Sequence, residues 1–282
     1  MNTFAAIAER VRGFVFDLDG TLLNSDAVIS AANRSALLKL KQAGMKLIIA
    51  TGRNLSEARA VCGDLPFDGY VCSNGMSVYG HDFAIMHSEA IPSEIAGQLL
   101  TELRRSKANY ELHASDNGIV IVQEDMPFLR LRLPDIKALP ERLVRDGLSQ
   151  GTMQLFKLMV VEEDITAIYE QMKAMEQLVE VIRMNDNSIE LNKKGVSKWS
   201  GLQIQFAKLG IGGDEVIAFG DSMNDWMMLS SSGWSVAMGN ADPHIQAIAR
   251  DRTVSNDKDG VAAYVQKLGL TSGAKEKEMK SS

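Results

Sequence analysis

Two acidic residues that could take part in catalysis or metal binding lie at the end of a short apolar run. Asp17 and Asp19 follow the residues FVF, and Gly-Thr comes directly after them. A short apolar run closed by a turn signal is typical of a buried strand. Because side chains alternate along a strand, both carboxylates point the same way past its end. Two such carboxylates repel each other unless a cation or a shared proton intervenes, although Asp19-Gly20 alone also suits an ordinary turn.

Three more segments carry polar residues at the ends of predicted strands or at the start of a predicted helix. Thr51-Gly52 follows one apolar run, Asp221 and Asp225 follow another, and Lys198 begins a helix. Because the carboxyl ends of parallel strands open on one edge of a sheet, we expect these side chains to share a pocket. Carboxylate oxygens without histidine or cysteine suit Mg²⁺. Mg²⁺ beside a lysine and a hydroxyl suits a phosphoryl group.

The elements that position these residues alternate between strand and helix at both ends of the chain. This alternation predicts parallel strands with right-handed crossovers, and therefore an α/β fold with a Rossmann-like parallel-sheet core. Between them, hairpin signals such as Asp116-Asn117-Gly118 mix with helices, which is typical of an α+β module. We predict a discontinuous core of residues 1–83 and 191–270, an inserted cap of 84–190, and a flexible polar tail of 271–282.

Composition narrows the classes of function. The chain has 282 residues and a net charge of −6 without a basic block, which argues against a nucleic-acid partner. No apolar run approaches a membrane span, and charged residues interrupt the N-terminus before a signal-peptide core. Cys62 and Cys72 do not form a disulfide framework, so we expect a cytoplasmic setting. The sequence leaves the oligomeric state open.

Four ordered segments carry a resemblance to a known family. FDLDGTLL, ATGR, GVSK and GDSMND resemble the four motifs of the haloacid dehalogenase superfamily. The position of the cap, between the second and third motifs, is similar to the Cof-type branch with the larger α+β cap. The resemblance implies that Asp17 is the nucleophile, which forms an aspartyl-phosphate intermediate, and that Asp19 is the general acid and then the base. It also implies that Lys198 neutralises negative charge.

The same resemblance implies how a metal and a substrate are held. Asp19 would contribute its main-chain carbonyl to Mg²⁺, and Asp225 would bind directly or through water. The implied Mg²⁺ ligands are Asp17, Asp19, Asp221 and Asp225. The implied substrate-binding residues are Thr51, Gly52, Asn74, Lys198 and Asn224.

Two tryptophans depart from the family pattern. Trp199 follows Lys198 where the family usually has glycine, and Trp226 follows the last aspartate of GDSMND, where an aliphatic residue is common. We expect the bulk of Trp199 to shift the helix start or to narrow the pocket. Lys193 and Lys194 lie nearby and are rival candidates for the lysine of the site, although Val-Ser-Lys198 is the better match to the family.

Three hypotheses on function follow. The first is a Mg²⁺-dependent phosphatase of small phosphorylated metabolites, with sugar phosphates favoured because Cof-like enzymes often take them. The second is a phosphotransferase or phosphomutase that passes the aspartyl phosphate to a sugar hydroxyl. The third is a signalling receiver that accepts a phosphoryl group. The pairing of Asp17 with Asp19 and the large cap argue against the receiver.

Overall fold

A computed structural model describes residues 9–113, 120–122 and 146–269 of the chain. Its strands are β1 (Gly13–Phe16), β2 (Lys46–Ala50), β3 (Gly69–Cys72), β4 (Ser77–Gly80), β5 (Ile85–Ser88), β6 (Tyr110–His113), β7 (Val120–Val122), β8 (Lys157–Val161), β9 (Val179–Arg183), β10 (Ser188–Lys193), β11 (Val216–Gly220), β12 (Trp234–Ala237) and β13 (Asp251–Arg252). Its helices include α1 (Ala31–Gln42), α2 (Leu55–Cys62), α3 (Ser93–Arg105), α4 (Thr166–Lys173), α5 (Lys198–Leu209), α6 (Trp226–Ser231), α7 (Pro243–Ile248) and α8 (Gly260–Leu268).

The first sheet, called the core sheet below, contains eight strands in the order β13-β12-β11-β1-β2-β3-β4-β5. The strands from β13 to β3 run parallel, and β4 and β5 are added antiparallel at one edge. Strand β1 lies between β2 and β11, with Phe14 beside both Leu47 and Ile217. The predicted parallel α/β core is therefore confirmed, and the carboxyl ends of β1, β2 and β11 are neighbours.

The second sheet, called the cap sheet below, is antiparallel, with the order β7-β6-β8-β10-β9. Strand β5 belongs to the core sheet and β10 to the cap sheet, so the junctions predicted at 84 and 190 lie a few residues before the sheet boundaries. The sheet to which β5 or β10 belongs depends on the strand it pairs with, and that partner cannot be read from the short sequence of the strand itself. The predicted turn at 116–118 and the predicted tail lie outside the described residues.

Alternation along the strands gives the cap sheet one apolar and one polar face. Leu112, Leu158 and Leu191 pack into a hydrophobic cluster together with α3. Their strand neighbours on the other face are polar, and several of them are buried: Glu111, His113, Lys157, Glu190 and Asn192. Burying polar groups costs free energy unless they have hydrogen-bond partners. This buried polar face therefore indicates a role other than stabilising the cap.

Strand β13, at one edge of the core sheet, is short. It ends at Arg252, although the Thr253 N–H still donates to the Ala237 carbonyl. Within the described ranges, no helix combines the length and apolarity that crossing a membrane requires.

Candidate active site

The nucleophile candidate, Asp17, is the first residue after the central strand β1. Its N–H donates to the Phe219 carbonyl at 3.1 Å, which continues the ladder to β11 past the end of the strand. The side chain is only 4% exposed. A turn, Leu18–Leu22, follows at once, with non-helical backbone at Asp19 and Gly20. The sheet edge therefore holds this carboxylate inside the protein.

The loop after β11 holds the other two acidic side chains of the cluster. Asp225 Oδ2 accepts hydrogen bonds from the N–H groups of Asp221 and Ser222, at 2.9 and 3.2 Å. Asp221 Oδ1 accepts from the Thr21 hydroxyl at 2.7 Å. One carboxylate oxygen from each of Asp17, Asp221 and Asp225 lies within 4.8 Å of the others. These three residues are called the aspartate cluster below.

Gly20 sits against this cluster and can only be glycine. Its φ is +73°, in the left-handed region, and a Cβ there would lie 2.3 Å from Asp221 Oδ2. The FDLDGT segment thus allows the chain to pass Asp221 closely, and Thr21 then donates to the same carboxylate.

Lys198 supplies the positive charge within the cluster. Its Nζ lies 2.7 Å from Asp17 Oδ1 and 2.7 Å from Asp225 Oδ1, and its side chain is fully buried. It is the first residue of α5, whose N-cap is Ser197. A buried lysine in hydrogen-bonding contact with two carboxylates is a different environment from the solvated start of a helix.

The rival lysines and the two tryptophans lie elsewhere. Lys193 pairs with Glu89, and Lys194 donates to a main-chain carbonyl in the cap. Trp199 packs edge-on against Phe206 in the core and leaves the start of α5 at Lys198, so the expected shift of the helix start is not observed. Its ring points into the core because Gly213 leaves room for it.

The electrostatics of the cluster favour an additional cation. Burial raises the pKa of Asp17 well above its usual value, and although Lys198 lowers it, the neighbouring aspartates raise it further. Burial, then the charge of Asp225, raises the pKa of Asp221 to about 7. Burial alone would lower the pKa of Lys198, but the two carboxylates outweigh it and raise the pKa. One lysine therefore does not balance the negative charge.

The donor set fits Mg²⁺. All side-chain ligand candidates are carboxylate oxygens, which hard divalent cations prefer. Both oxygens of Asp225 already accept hydrogen bonds, from Lys198 and from main-chain N–H groups. Asp17 and Asp221 each accept a side-chain hydrogen bond at Oδ1 only, so direct ligation falls to them more readily than to Asp225.

Thr51 and its neighbours form a turn after β2. The Thr51 side chain is buried, and its Oγ1 accepts a hydrogen bond from the Arg53 N–H at 3.1 Å. Its carbonyl accepts from the Asn74 N–H at 3.0 Å. Because the hydroxyl already accepts, its proton can be donated to another oxygen. Residues Thr51-Gly52-Arg53 are called the Thr51 turn below.

Asn74 and Asn224 lie together beside this turn. Asn224 Nδ2 donates to Asn74 Oδ1 at 3.1 Å, and Asn224 Oδ1 accepts from the Ser222 hydroxyl at 2.7 Å. A Cβ on Gly52 would be 3.2 Å from Asn74 Oδ1 and 3.6 Å from Asn224 Nδ2. The predicted substrate-binding amides are therefore adjacent to Gly52.

Asp19 lies at the margin of the site and not within the aspartate cluster. Its side chain is 59% exposed and forms two hydrogen bonds with the Arg53 guanidinium, at 2.8 and 2.7 Å. Sequence reasoning did not include Arg53 among the site residues, although the ATGR segment contains it. Thr21 was missed in the same way, although it belongs to FDLDGT.

Sequence reasoning also missed a contribution from the cap. Lys157 and Glu190, both on the polar face of the cap sheet, contact Gly52 and Asn74. A neighbouring cavity of about 800 Å³ is lined by both parts of the molecule, including Asn74, Arg183, Lys198 and Trp226. Trp226 is 36% exposed and adds an apolar surface there. The core and the cap thus both line the cavity beside the site.

Comparisons with known proteins agree with this geometry. The sequence profile of the haloacid dehalogenase-like hydrolases matches residues 14–265. The 5-amino-6-(5-phospho-D-ribitylamino)uracil phosphatase of Bacillus subtilis (strain 168) is 28% identical over 91% of this chain and 95% of its own length. The HMP-PP phosphatase of Shigella flexneri is 27% identical over 82% of this chain and 85% of its own length.

Solved structures give the same result for the fold. A haloacid dehalogenase superfamily phosphatase from Bacteroides thetaiotaomicron, BT1666, superimposes with a TM-score of 0.79 and 25% identity over 96% of this chain and 98% of its own. The subclass IIB sugar phosphatase BT4131 shares the fold, with a TM-score of 0.78 and 22% identity over 92% of this chain and 100% of its own. The chain belongs to the haloacid dehalogenase-like hydrolases and is a phosphatase of that family.

Proposed function

We propose that this chain hydrolyses small phosphorylated metabolites, with Mg²⁺ as cofactor and an aspartyl-phosphate intermediate. The observation that carries the proposal is the buried Asp17 carboxylate, which is hydrogen-bonded to Lys198 and lies within the aspartate cluster. When bound, Mg²⁺ would neutralise charge on the phosphoryl group, and Asp17 and Asp221 would hold it, with Asp225 and the Asp19 carbonyl completing the set.

Different residues would act in the two chemical steps, which are formation and hydrolysis of the aspartyl phosphate. One oxygen of the Asp17 carboxylate attacks phosphorus, so that a P–O bond to Asp17 forms while the bond to the leaving oxygen breaks. Asp19 donates a proton to that oxygen, then accepts one from the water that attacks phosphorus and releases Asp17. The Thr51 hydroxyl and the Gly52 N–H bind phosphoryl oxygens, and Lys198 balances charge on Asp17.

We propose sugar phosphates as the substrate class. On the polar face of the cap sheet, His113 and Asn192 are buried, and within the described residues their side-chain polar atoms have no hydrogen-bond partner, although His113 Nε2 lies 3.6 Å from Glu111 Oε2. Such groups are costly to bury, and hydroxyls of a bound substrate would satisfy them. The relatives named above act on 5-amino-6-(5-phospho-D-ribitylamino)uracil and on HMP-PP, which supports a small phosphorylated compound.

We also propose a cytoplasmic setting, which the two cysteines support. Neither Cys62 nor Cys72 forms a disulfide in the part of the chain that the structure describes, and both are buried. Burial raises the pKa of the Cys62 thiol to about 12, which keeps it protonated and poorly reactive. These side chains act as small core residues and not as a structural crosslink.

The test is the release of phosphate from para-nitrophenyl phosphate, followed by a screen of phosphorylated metabolites with and without Mg²⁺. We expect Asp17→Asn to abolish turnover, because the amide cannot form the intermediate, and Asp64→Asn, an exposed change, to leave it intact. Normal turnover by Asp17→Asn contradicts the assignment of the nucleophile. Isomerised sugar phosphate in place of free phosphate would indicate the phosphomutase alternative.

A further inference from the structure

A buried ion pair of the cap lies directly against the Thr51 turn. Lys157 Nζ donates to Glu190 Oε1 at 2.9 Å and to the Gly52 carbonyl oxygen at 2.9 Å. The side chains of Lys157 and Glu190 are only 6% and 7% exposed. Both belong to the cap sheet, whereas Gly52 follows a strand of the core sheet. The cap therefore brings a buried cation to the backbone of the turn that carries Thr51.

The peptide group between Gly52 and Arg53 connects this cation to the Thr51 hydroxyl. Its carbonyl accepts from Lys157, and its N–H donates to Thr51 Oγ1. Hydrogen bonds in such a chain polarise and strengthen each other. Because Thr51 Oγ1 is held as the acceptor of the Arg53 N–H, its own proton points away from that N–H and is available to an oxygen elsewhere.

Glu190 fixes the other side of the same turn. Its Oε2 accepts from Asn74 Nδ2 at 2.5 Å, and the Asn74 N–H donates to the Thr51 carbonyl at 3.0 Å. Burial tends to raise the pKa of Glu190, but Lys157 and Asn74 lower it overall, so the carboxylate stays charged at neutral pH. One ion pair of the cap is thus linked to Thr51 by two routes, one through the Gly52–Arg53 peptide group and one through Asn74.

We infer that Lys157 is a positioning residue, through which the closed cap orients the Thr51 hydroxyl toward the phosphoryl group. The inference rests on the proposed function and adds to it a residue outside the four motifs. The Thr51 turn is completely ordered for phosphoryl transfer only while the cap contact exists. Opening of the cap separates Lys157 from the Gly52 carbonyl and removes this order, so that turnover is coupled to closure.

A simpler role for Lys157 would be to neutralise Glu190. The two roles differ in what restores activity, because Lys157→Met combined with Glu190→Gln removes both charges and leaves no buried ion unpaired. If neutralisation is the only role, this double variant recovers the wild-type kcat. If Lys157 orients Thr51, the double variant stays as slow as Lys157→Met, since the Gly52 carbonyl still lacks its donor.

The experiment measures kcat and KM on para-nitrophenyl phosphate and on a hexose phosphate. We expect Lys157→Met to lower kcat by about 10- to 100-fold on both substrates, because a misplaced phosphate ligand affects every leaving group equally. Lys157→Arg retains the cation and should recover part of this loss. In a Thr51→Val background, Lys157→Met should change kcat by less than about twofold, since the group it positions is already absent.

Lys193 provides the matched control. It is also a cap-sheet lysine, and it pairs with Glu89 directly after β5, so it joins the cap to the core without contacting the Thr51 turn. We expect Lys193→Met to keep kcat within about twofold of the wild type. Urea unfolding of each variant establishes that it is folded.

Three results would overturn the inference: equal losses in Lys193→Met and Lys157→Met, an undiminished effect of Lys157→Met in the Thr51→Val background, or recovery of kcat in the doubly neutralised variant. Each of them leaves a working phosphatase. A wild-type protein that hydrolyses no phosphate ester would instead contradict the proposed function, and the inference with it.

Discussion

Binding of Mg²⁺ to the aspartate cluster is expected to release a proton near neutral pH. In the metal-free protein, burial and then the charge of Asp225 raise the pKa of Asp221 to about 7. A carboxylate must be ionised before it ligates a metal, so the proton and Mg²⁺ compete for Asp221 below that pH. Protons and Mg²⁺ therefore compete near pH 7, where carboxylates with an ordinary pKa are already ionised and release no protons.

The magnitude follows from the shift of the Asp221 pKa from 3.8 to about 7. Three units correspond to about 4 kcal/mol between the two protonation states, an upper value because the side chain is partly exposed. From Asp221 alone, binding should displace about 0.9 proton at pH 6 and about 0.1 at pH 8, and the apparent affinity should fall about tenfold per pH unit below 7. Asp17, whose pKa burial also raises, should add to this release.

The sign for stability follows from the same shift. Because the pKa of Asp221 is higher in the folded than in the unfolded chain, the folded state binds more protons between the two values. The metal-free protein should therefore lose stability as the pH rises from about 4 to about 7. Saturating Mg²⁺ should remove this loss, since the cation replaces the proton.

Calorimetric titration with Mg²⁺ in two buffers of different ionisation enthalpy counts the protons at pH 6, 7 and 8. Asp221→Asn should lower the number of protons released at pH 6, since the amide does not titrate. Thr21→Val removes the hydrogen bond that lowers the pKa of Asp221, and should move the profile to higher pH. Equal affinity and no proton release at pH 6 and pH 8 would refute the reasoning.

Two further predictions concern the packing around the site. Lys198→Met leaves Asp17 and Asp225 buried without their cation, so it should abolish turnover and lower the free energy of unfolding at pH 7 by about 3–5 kcal/mol in urea titrations; an effect as small as that of the exposed Lys208→Met would contradict this. Gly75→Ala should lower the free energy of unfolding by more than about 2 kcal/mol. The residue has a φ of +101°, and a Cβ there would lie 2.1 Å from the Ser197 carbonyl oxygen. Gly97→Ala, in open space on α3, should stabilise by about 0.5–1 kcal/mol, and similar effects of the two glycine substitutions would be the contrary result.

The core of the fold could be predicted because its signals are local. The apolar runs ending at Phe16, Ala50 and Phe219 each precede a turn signal, and the alternation with helices implies parallel pairing. Neighbouring strand ends then follow from topology alone. The sequence was less informative for β13, a two-residue strand whose membership depends on its partner β12.

The cap contact could not be predicted, for a physical reason. Alternation in SIELNK places Glu190 on the face opposite Ile189 and Leu191, and this much is visible in the sequence. A charged face is ordinarily solvated, so nothing local indicates that Glu190 is buried. Its burial depends on how the two sheets face each other, which is set by residues more than a hundred positions apart, such as Asn74.

The three carboxylates of the aspartate cluster are chemically identical, but they differ in the hydrogen bonds that they accept. Asp225 accepts from Lys198 and two main-chain N–H groups, so its position is fixed and both its oxygens are occupied. Asp221 accepts from a single hydroxyl and remains available to a proton or a cation. Asp17 accepts at Oδ1 from Lys198, the same cation that holds Asp225. The motif letters give the same residue type at each position, and only the hydrogen bonds distinguish the fixed Asp225 from the proposed metal ligand Asp221 and the proposed nucleophile Asp17.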